Sequence, residues 1–128
     1  MLKLGIKGEV THIVDEATTA RTLGSGEVDL LGTPAMIALM EKAAWTAVAP
    51  YLPEGSGTVG TLLEVSHLKP TPIGMTVRSE AELIEVDDRR LLFRVTASDE
   101  VELIGEGIHE RFIIHQEKFQ AKAYQKGN

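Results

Sequence analysis

Glu41 lies where a charge is costly: the run Pro34-Ala35-Met36-Ile37-Ala38-Leu39-Met40-Glu41-Lys42-Ala43-Ala44-Trp45 is otherwise almost wholly apolar. At ~100° per residue it falls between Ile37, Ala38, Trp45 and Val48 on a helical wheel, away from Lys42 and Thr46. Desolvation there raises a carboxyl pKa above the ~4.3 of free glutamate unless a polar partner holds the charge. A carboxylate so placed suits general-base or nucleophilic work. A glutamate half exposed at a helix–sheet margin fits the same pattern. Thr33 reads as a helix N-cap, its hydroxyl accepting from a free N–H of the first turn. Such N–H groups also favour developing negative charge. Pro34 has none, so Ala35 and Met36 are the expected donors. His67 ends a strand on its apolar parity and points inward, for a catalytic proton or for a loop hydrogen bond. Thr33 and Glu41 are eight residues apart, about 12 Å along a helix, so they cannot touch within one chain. A single site using both needs a substrate that spans them, or one residue from each of two protomers.

The elements that must position these residues follow from periodicity. Leu2, Leu4, Ile6, Val10 and Val14 share one parity against Lys3, Lys7, Glu9 and Thr11, which predicts a half-buried strand with His12 near its end. Residues 17–32 lack periodicity and read as a loop whose glycines allow lid-like motion or a plain surface connection. A long helix runs from Pro34, favoured at the first helical position, to Ala49, with Pro50 ending it. Val59, Thr61, Leu63, Val65 and His67 then form the inward parity of a strand, and Pro70 and Pro72 keep the next turn out of any ladder. Met75, Val77, Ala81 and Leu83 mark a third strand and Leu91, Phe93, Val95 and Ala97 a fourth. Val101 to His115 is the fifth, with Gly105 and Gly107 signalling a bulge or close backbone approach. The polar tail from Gln116 should fray at its end. Consecutive strands on short turns pair antiparallel. One apolar helix against such a sheet gives an α+β domain whose sheet curls around the helix. One sheet cannot cover the whole helix, so a second copy pairing edge to edge is expected.

The 128 residues suit one domain spanning 1–128, and 43% apolar with 25% charged residues is ordinary globular composition. A net charge of −6 argues against a nucleic-acid-coating surface. The lack of cysteine excludes disulfides, thiolate metal sites and a cysteine nucleophile. The N-terminal residues alternate in polarity rather than forming a signal peptide, and no apolar run approaches the ~20 residues of a membrane span. The expectation is a soluble cytoplasmic protein with no membrane or nucleic-acid partner. His109 and His115 share a strand parity but are too far apart to chelate one ion, so no metal site is expected.

Thr33-Pro34-Ala35-Met36, Glu41, Thr58-Val59-Gly60, His67, Pro70-Thr71-Pro72-Ile73-Gly74-Met75 and Gly105 through Arg111 together resemble the hotdog-fold thioesterases, and more narrowly the fluoroacetyl-CoA thioesterase-like family. The resemblance spans about residues 5 to 120. It implies a homodimer, or a tetramer, hydrolysing a small or medium acyl-CoA thioester at the subunit interface. It places the catalytic threonine, glutamate and histidine on Thr33, Glu41 and His67, the glycine near the acyl pocket on Gly60, and the late-strand arginine on Arg111. Coenzyme A enters as part of the substrate, and no cofactor is expected. Its phosphates need cations, for which Lys69, Arg78, Arg89, Arg90 and Lys118 are candidates. A hotdog protein that binds acyl-CoA or an apolar ligand without turnover, and an acyl-CoA hydratase, are the competing readings.

Overall fold

The computed structural model describes residues 2–127. Strand β1 (Lys7–Ile13) leads through a short helix α1 (Ala20–Leu23) into the long helix α2 (Thr33–Val48). Strands β2 (Ser56–His67), β3 (Thr76–Asp87), β4 (Arg90–Ser98) and β5 (Leu103–His115) follow, and helix α3 (Gln116–Tyr124) closes the chain. All five strands form one antiparallel sheet in the order β1-β3-β4-β5-β2. Helix α2 lies across it, chiefly against β1 and β3.

The core is the meeting of two periodicities. Met36, Met40, Ala43, Ala44, Ala47 and Val48 are the buried face of α2. Against it stand Leu91, Phe93, Val95 and Ala97, every second residue of β4, with Val77, Ala81 and Leu83 of β3. These are the faces that the alternating sequence predicts. Helix α2 begins and ends one residue earlier than expected, and Ala49–Tyr51 continues it as a 3-10 turn.

Three expectations need correction. First, β2 does not pair with β3; it pairs with β5, Gly60 lying opposite Arg111 and His67 opposite Gly105. The proline-bearing connection after His67 is bound elsewhere: Leu68 N–H donates to Ile104 O at 2.6 Å and Leu31 N–H to Thr71 O at 2.9 Å. It carries the chain across the sheet, so β3 can pair with β1 and β4. Second, residues 17–32 are not wholly loop. Thr19 caps α1, accepting from Thr22 N–H at 3.2 Å, and Gly24 ends it in the left-handed conformation at φ 75°. Arg21 then straps the following loop through Asp29 and the Glu27 carbonyl. Third, β1 starts at Lys7 rather than at Leu2. Leu4 is exposed, whereas Leu2 and Ile6 pack on the core. The polar tail is helical through Tyr124, its first turn capped by the His115 ring, which accepts from Lys118 N–H.

The pairing of β2 with β5 slips by one residue between Gly60 and Leu62, making Thr61 a bulge. A bulge flips the parity of the strand before it. His67, Val65 and Leu63 keep the inward face predicted for them, but Thr58 and Gly60 replace Val59 and Thr61 there. The two-residue rhythm expected through this strand breaks at the residue that matters most for Glu41. The bulge expected in β5 is present too: its register with β4 shifts beside Gly105, and a Cβ on Gly107 would lie 2.1 Å from the Glu64 carbonyl.

Candidate active site

Thr33 and His67 meet where the start of α2 passes the end of β2. Thr33 Oγ1 and His67 Nδ1 are linked by a hydrogen bond of 2.7 Å. Thr33 is not the N-cap. Gly32 holds that position with no side-chain cap bond, and Thr33 is already helical. Its hydroxyl is therefore free for a partner 34 residues away. The expected donors are spent as well: Ala35 and Met36 N–H both donate to the Gly32 carbonyl, at 3.0 and 3.1 Å. The Met36 side chain is fully buried in the core. Neither residue presents its N–H to a ligand.

His67 Nε2 is buried and has no hydrogen-bond partner among the described residues. The pair opens into a cavity of about 340 Å³ lined by Ala20, Val28, Leu31, Thr33, His67 and Lys69 among others. Of the candidate cations, Lys69 borders this cavity. Arg78 is held by Glu9, and Arg90 by Glu85 and Glu110.

Glu41 lies two turns further along α2, in a separate cluster. Its side chain is 38% exposed, and Oε2 accepts from Arg111 Nη1 at 3.3 Å. This is the polar partner that an ionised glutamate on an apolar face requires. Gly60 is pressed against the same carboxylate. A Cβ there would lie 2.7 Å from Glu41 Oε2 and 3.1 Å from His109 Cε1, so the close approach needs glycine. Arg111 is only 6% exposed. Its Nε–H donates to Thr58 Oγ1 at 2.7 Å, Nη2 to Thr58 O at 2.9 Å, and Nη1 also to His109 Nε2 at 3.0 Å.

Thus the structure joins Thr33 to His67, and Glu41 to Gly60 and Arg111, as two clusters on one helix. It adds Thr58 and His109, which sequence reasoning did not place at a site. One signal for them was available: His109 and Arg111 are two apart on one strand and so share a face.

Burial holds the pKa of His67 below 6.5, opposed in part by the Lys69 backbone. Burial likewise lowers that of His109, with the Arg111 charge adding to the effect and the Leu62 carbonyl and Glu41 opposing it. The fold favours the neutral form of both rings, whereas the unfolded chain takes up protons near the ordinary histidine pKa of about 6.5. Their contribution to stability is therefore complete above pH 6.5 and is lost as pH falls below it. Urea unfolding from pH 7.5 to 5 should show stability declining before the carboxylates titrate. A flat or rising profile would contradict this assignment.

Residues 14–117 match the family described as fluoroacetyl-CoA-specific thioesterase. A fluoroacetyl-CoA thioesterase of Streptantibioticus cattleyicolor is 50% identical over 98 residues, covering 77% of this chain and 70% of the relative. A solved structure of the fluoroacetyl-CoA thioesterase FlK superposes with a TM-score of 0.93 at 41% identity, covering 98% of both chains. A thioesterase superfamily member from Thermus thermophilus superposes at 0.88 with 30% identity, over 98% of this chain and 93% of that one. The sheet wrapped on one long helix is the hotdog fold, and the chain belongs to the fluoroacetyl-CoA-specific thioesterase family.

Proposed function

We propose that the protein hydrolyses a small or medium acyl-CoA thioester to the free acid and coenzyme A, at a site shared by two copies of the chain. The observation that carries this reading is the separation of the two clusters. Thr33 with His67 and Glu41 with Arg111 each have the geometry of a reacting group and its orienting partner, yet ~12 Å of helix divides Thr33 from Glu41. A second copy supplies the missing half. Strand β2 is twelve residues long at the sheet edge, where unpaired backbone groups invite another strand. On α2 the outer residues Pro34, Ala38 and Trp45 are exposed, Trp45 by 45%. Pairing of β2 edges about a two-fold axis would cover both and bring Glu41 of one copy towards Thr33 of the other.

In such a site Glu41 attacks the thioester carbonyl, the carbon–sulfur bond breaks to leave an acyl–Glu41 anhydride, and water then hydrolyses it to the free acid. Alternatively, Glu41 draws a proton from a water that attacks the carbonyl, and the adduct collapses with loss of the thiolate. In both routes a water is consumed and supplies the proton that the departing thiolate takes up. Thr33, oriented by His67, hydrogen-bonds beside the carbonyl or the leaving sulfur. The Ala35 and Met36 N–H groups are already engaged, and backbone donors beside Gly60 stabilise the oxyanion. Lys69, which borders the Thr33–His67 cavity, is the candidate cation for a coenzyme A phosphate. Arg111 binds through Oε2 and leaves Oε1 of Glu41 for the reaction. Single turnover in labelled water, with mass analysis of the peptide containing Glu41, separates the two routes: label in the carboxylate marks direct attack.

The test of function is a panel of acyl-CoA thioesters, fluoroacetyl- and acetyl-CoA included, read by release of free thiol. Release from at least one short or medium member is expected. Binding without thiol release across the panel would make the protein a ligand-binding hotdog domain. An altered acyl group still joined to coenzyme A, seen by mass spectrometry, would make it a hydratase. No described helix is long and apolar enough to cross a membrane.

A further inference from the structure

His109 is the one histidine with no exposed surface, and the chemistry of its neighbours fixes its protonation. Nδ1 lies 2.8 Å from the carbonyl oxygen of Leu62. A carbonyl only accepts, so Nδ1 carries the proton. Nε2 of the neutral ring is then an acceptor, and Arg111 Nη1–H donates to it at 3.0 Å. Phe93, its register partner on β4, lies beside the ring with centroids 6.3 Å apart.

These contacts connect two features of the site. Leu62 immediately follows the bulge at Thr61, where the ladder to β5 is interrupted and its carbonyl takes a side-chain donor instead. That bulge turns Gly60 towards the Glu41 carboxylate. At the other nitrogen, Nη1 of Arg111 is the atom that meets Glu41 Oε2. Thr58 fixes Nε and Nη2 of the guanidinium, and His109 fixes the remaining arm.

We infer that His109 is a positioning residue for Glu41. As the Nδ1–H tautomer it ties down the bulge carbonyl of Leu62 and accepts from Arg111 Nη1, so the guanidinium is aimed at the carboxylate. It touches neither substrate nor reacting atoms. This role rests on the proposed part of Glu41 in thioester hydrolysis and adds to it the device that sets the carboxylate's orientation. Such orienting partners are typically worth 10- to 100-fold in activity.

Two substitutions divide the two nitrogens. His109→Asn keeps an amide N–H near the Nδ1 position, able to donate to Leu62 O, but is too short to reach Arg111. His109→Gln places an amide oxygen near Nε2, able to accept from Arg111, and gives up the bond to Leu62. The Asn protein should lose roughly 10- to 100-fold in kcat with KM little changed, and the Gln protein should recover most of that kcat while unfolding at lower temperature. Nitrogen NMR of the wild-type ring should show a protonated Nδ1 and an unprotonated Nε2 at pH 7. An Asn protein with unchanged kcat would overturn the inference, leaving His109 a structural clamp on the bulge. A folded Gln protein whose kcat falls about 10-fold or more below wild type would overturn it too, and this arm stands even if the Asn protein fails to fold. Failure of the Glu41 reading looks different: it appears as an active Glu41→Gln enzyme, whatever the His109 variants do.

Discussion

Glu41→Gln is expected to lower kcat by roughly 10²–10⁴-fold while leaving KM, fold and assembly near wild type. Glutamine matches the shape of glutamate and keeps an oxygen able to accept from Arg111 Nη1, which meets Oε2 at 3.3 Å in the native protein. The change is confined to the negative charge and the basicity of the carboxylate. Both proposed routes need them: a neutral amide neither attacks a thioester effectively nor takes a proton from water. Steady-state kinetics on the best member of the acyl-CoA panel, with circular dichroism and sizing of the same preparation, provides the check. Near-wild-type kcat would remove Glu41 from the mechanism.

Arg111→Lys should do nearly as much damage despite keeping the charge. The guanidinium is a planar fork that reaches Thr58 Oγ1, Thr58 O, His109 Nε2 and Glu41 at once. An ammonium group is a compact point charge and cannot reproduce that spread. At 6% exposure little water can replace the lost donors, so acceptors on Thr58 and His109 are left unpaired. Breaking such a buried set costs about 2–5 kcal/mol. With the carboxylate no longer oriented, kcat should fall by about 10²-fold or more as well. Urea unfolding and kinetics together read both effects. A lysine variant with native stability and turnover would show that Arg111 serves only as a nearby positive charge.

What could be read from the sequence was whatever depended on local pattern. The alternation of Leu91, Phe93, Val95 and Ala97 sufficed to orient β4, and all four are fully buried. Glu41 stood out because the wheel puts it apart from Lys42 and Thr46, and its partner proved to be a buried arginine on a distant strand. Long-range placement was less legible. Thr33 looked like a cap because its type and position suit one, but Gly32 occupies the cap. The Thr33 hydroxyl finds instead a histidine brought in by β2. The bulge at Thr61 leaves no mark in the apolar alternation, since Val59 and Thr61 continue it smoothly. Without the bulge, Gly60 and Thr58 face the wrong way and His109 has no carbonyl to bind. Strand pairing was misread for a related reason: β2 pairs across 49 residues of separation, as Thr61 and Glu110 do through their side chains, and turn residues carry no information about that.

The claim on which the rest depends is that each site takes Thr33 and His67 from one copy and Glu41 from another. Complementation between two inactive proteins tests it most directly. One carries Thr33→Ala with His67→Ala, the other Glu41→Gln, and each alone should be close to inactive. Equal amounts are unfolded together in urea, refolded as a mixture and assayed. In a mixed dimer one site collects every substitution and the other is wholly native. Random reassociation makes about half the dimers mixed, so activity should return to about a quarter of wild type. If each site lies within a single chain, mixing restores nothing, and the mixture stays as inactive as its components.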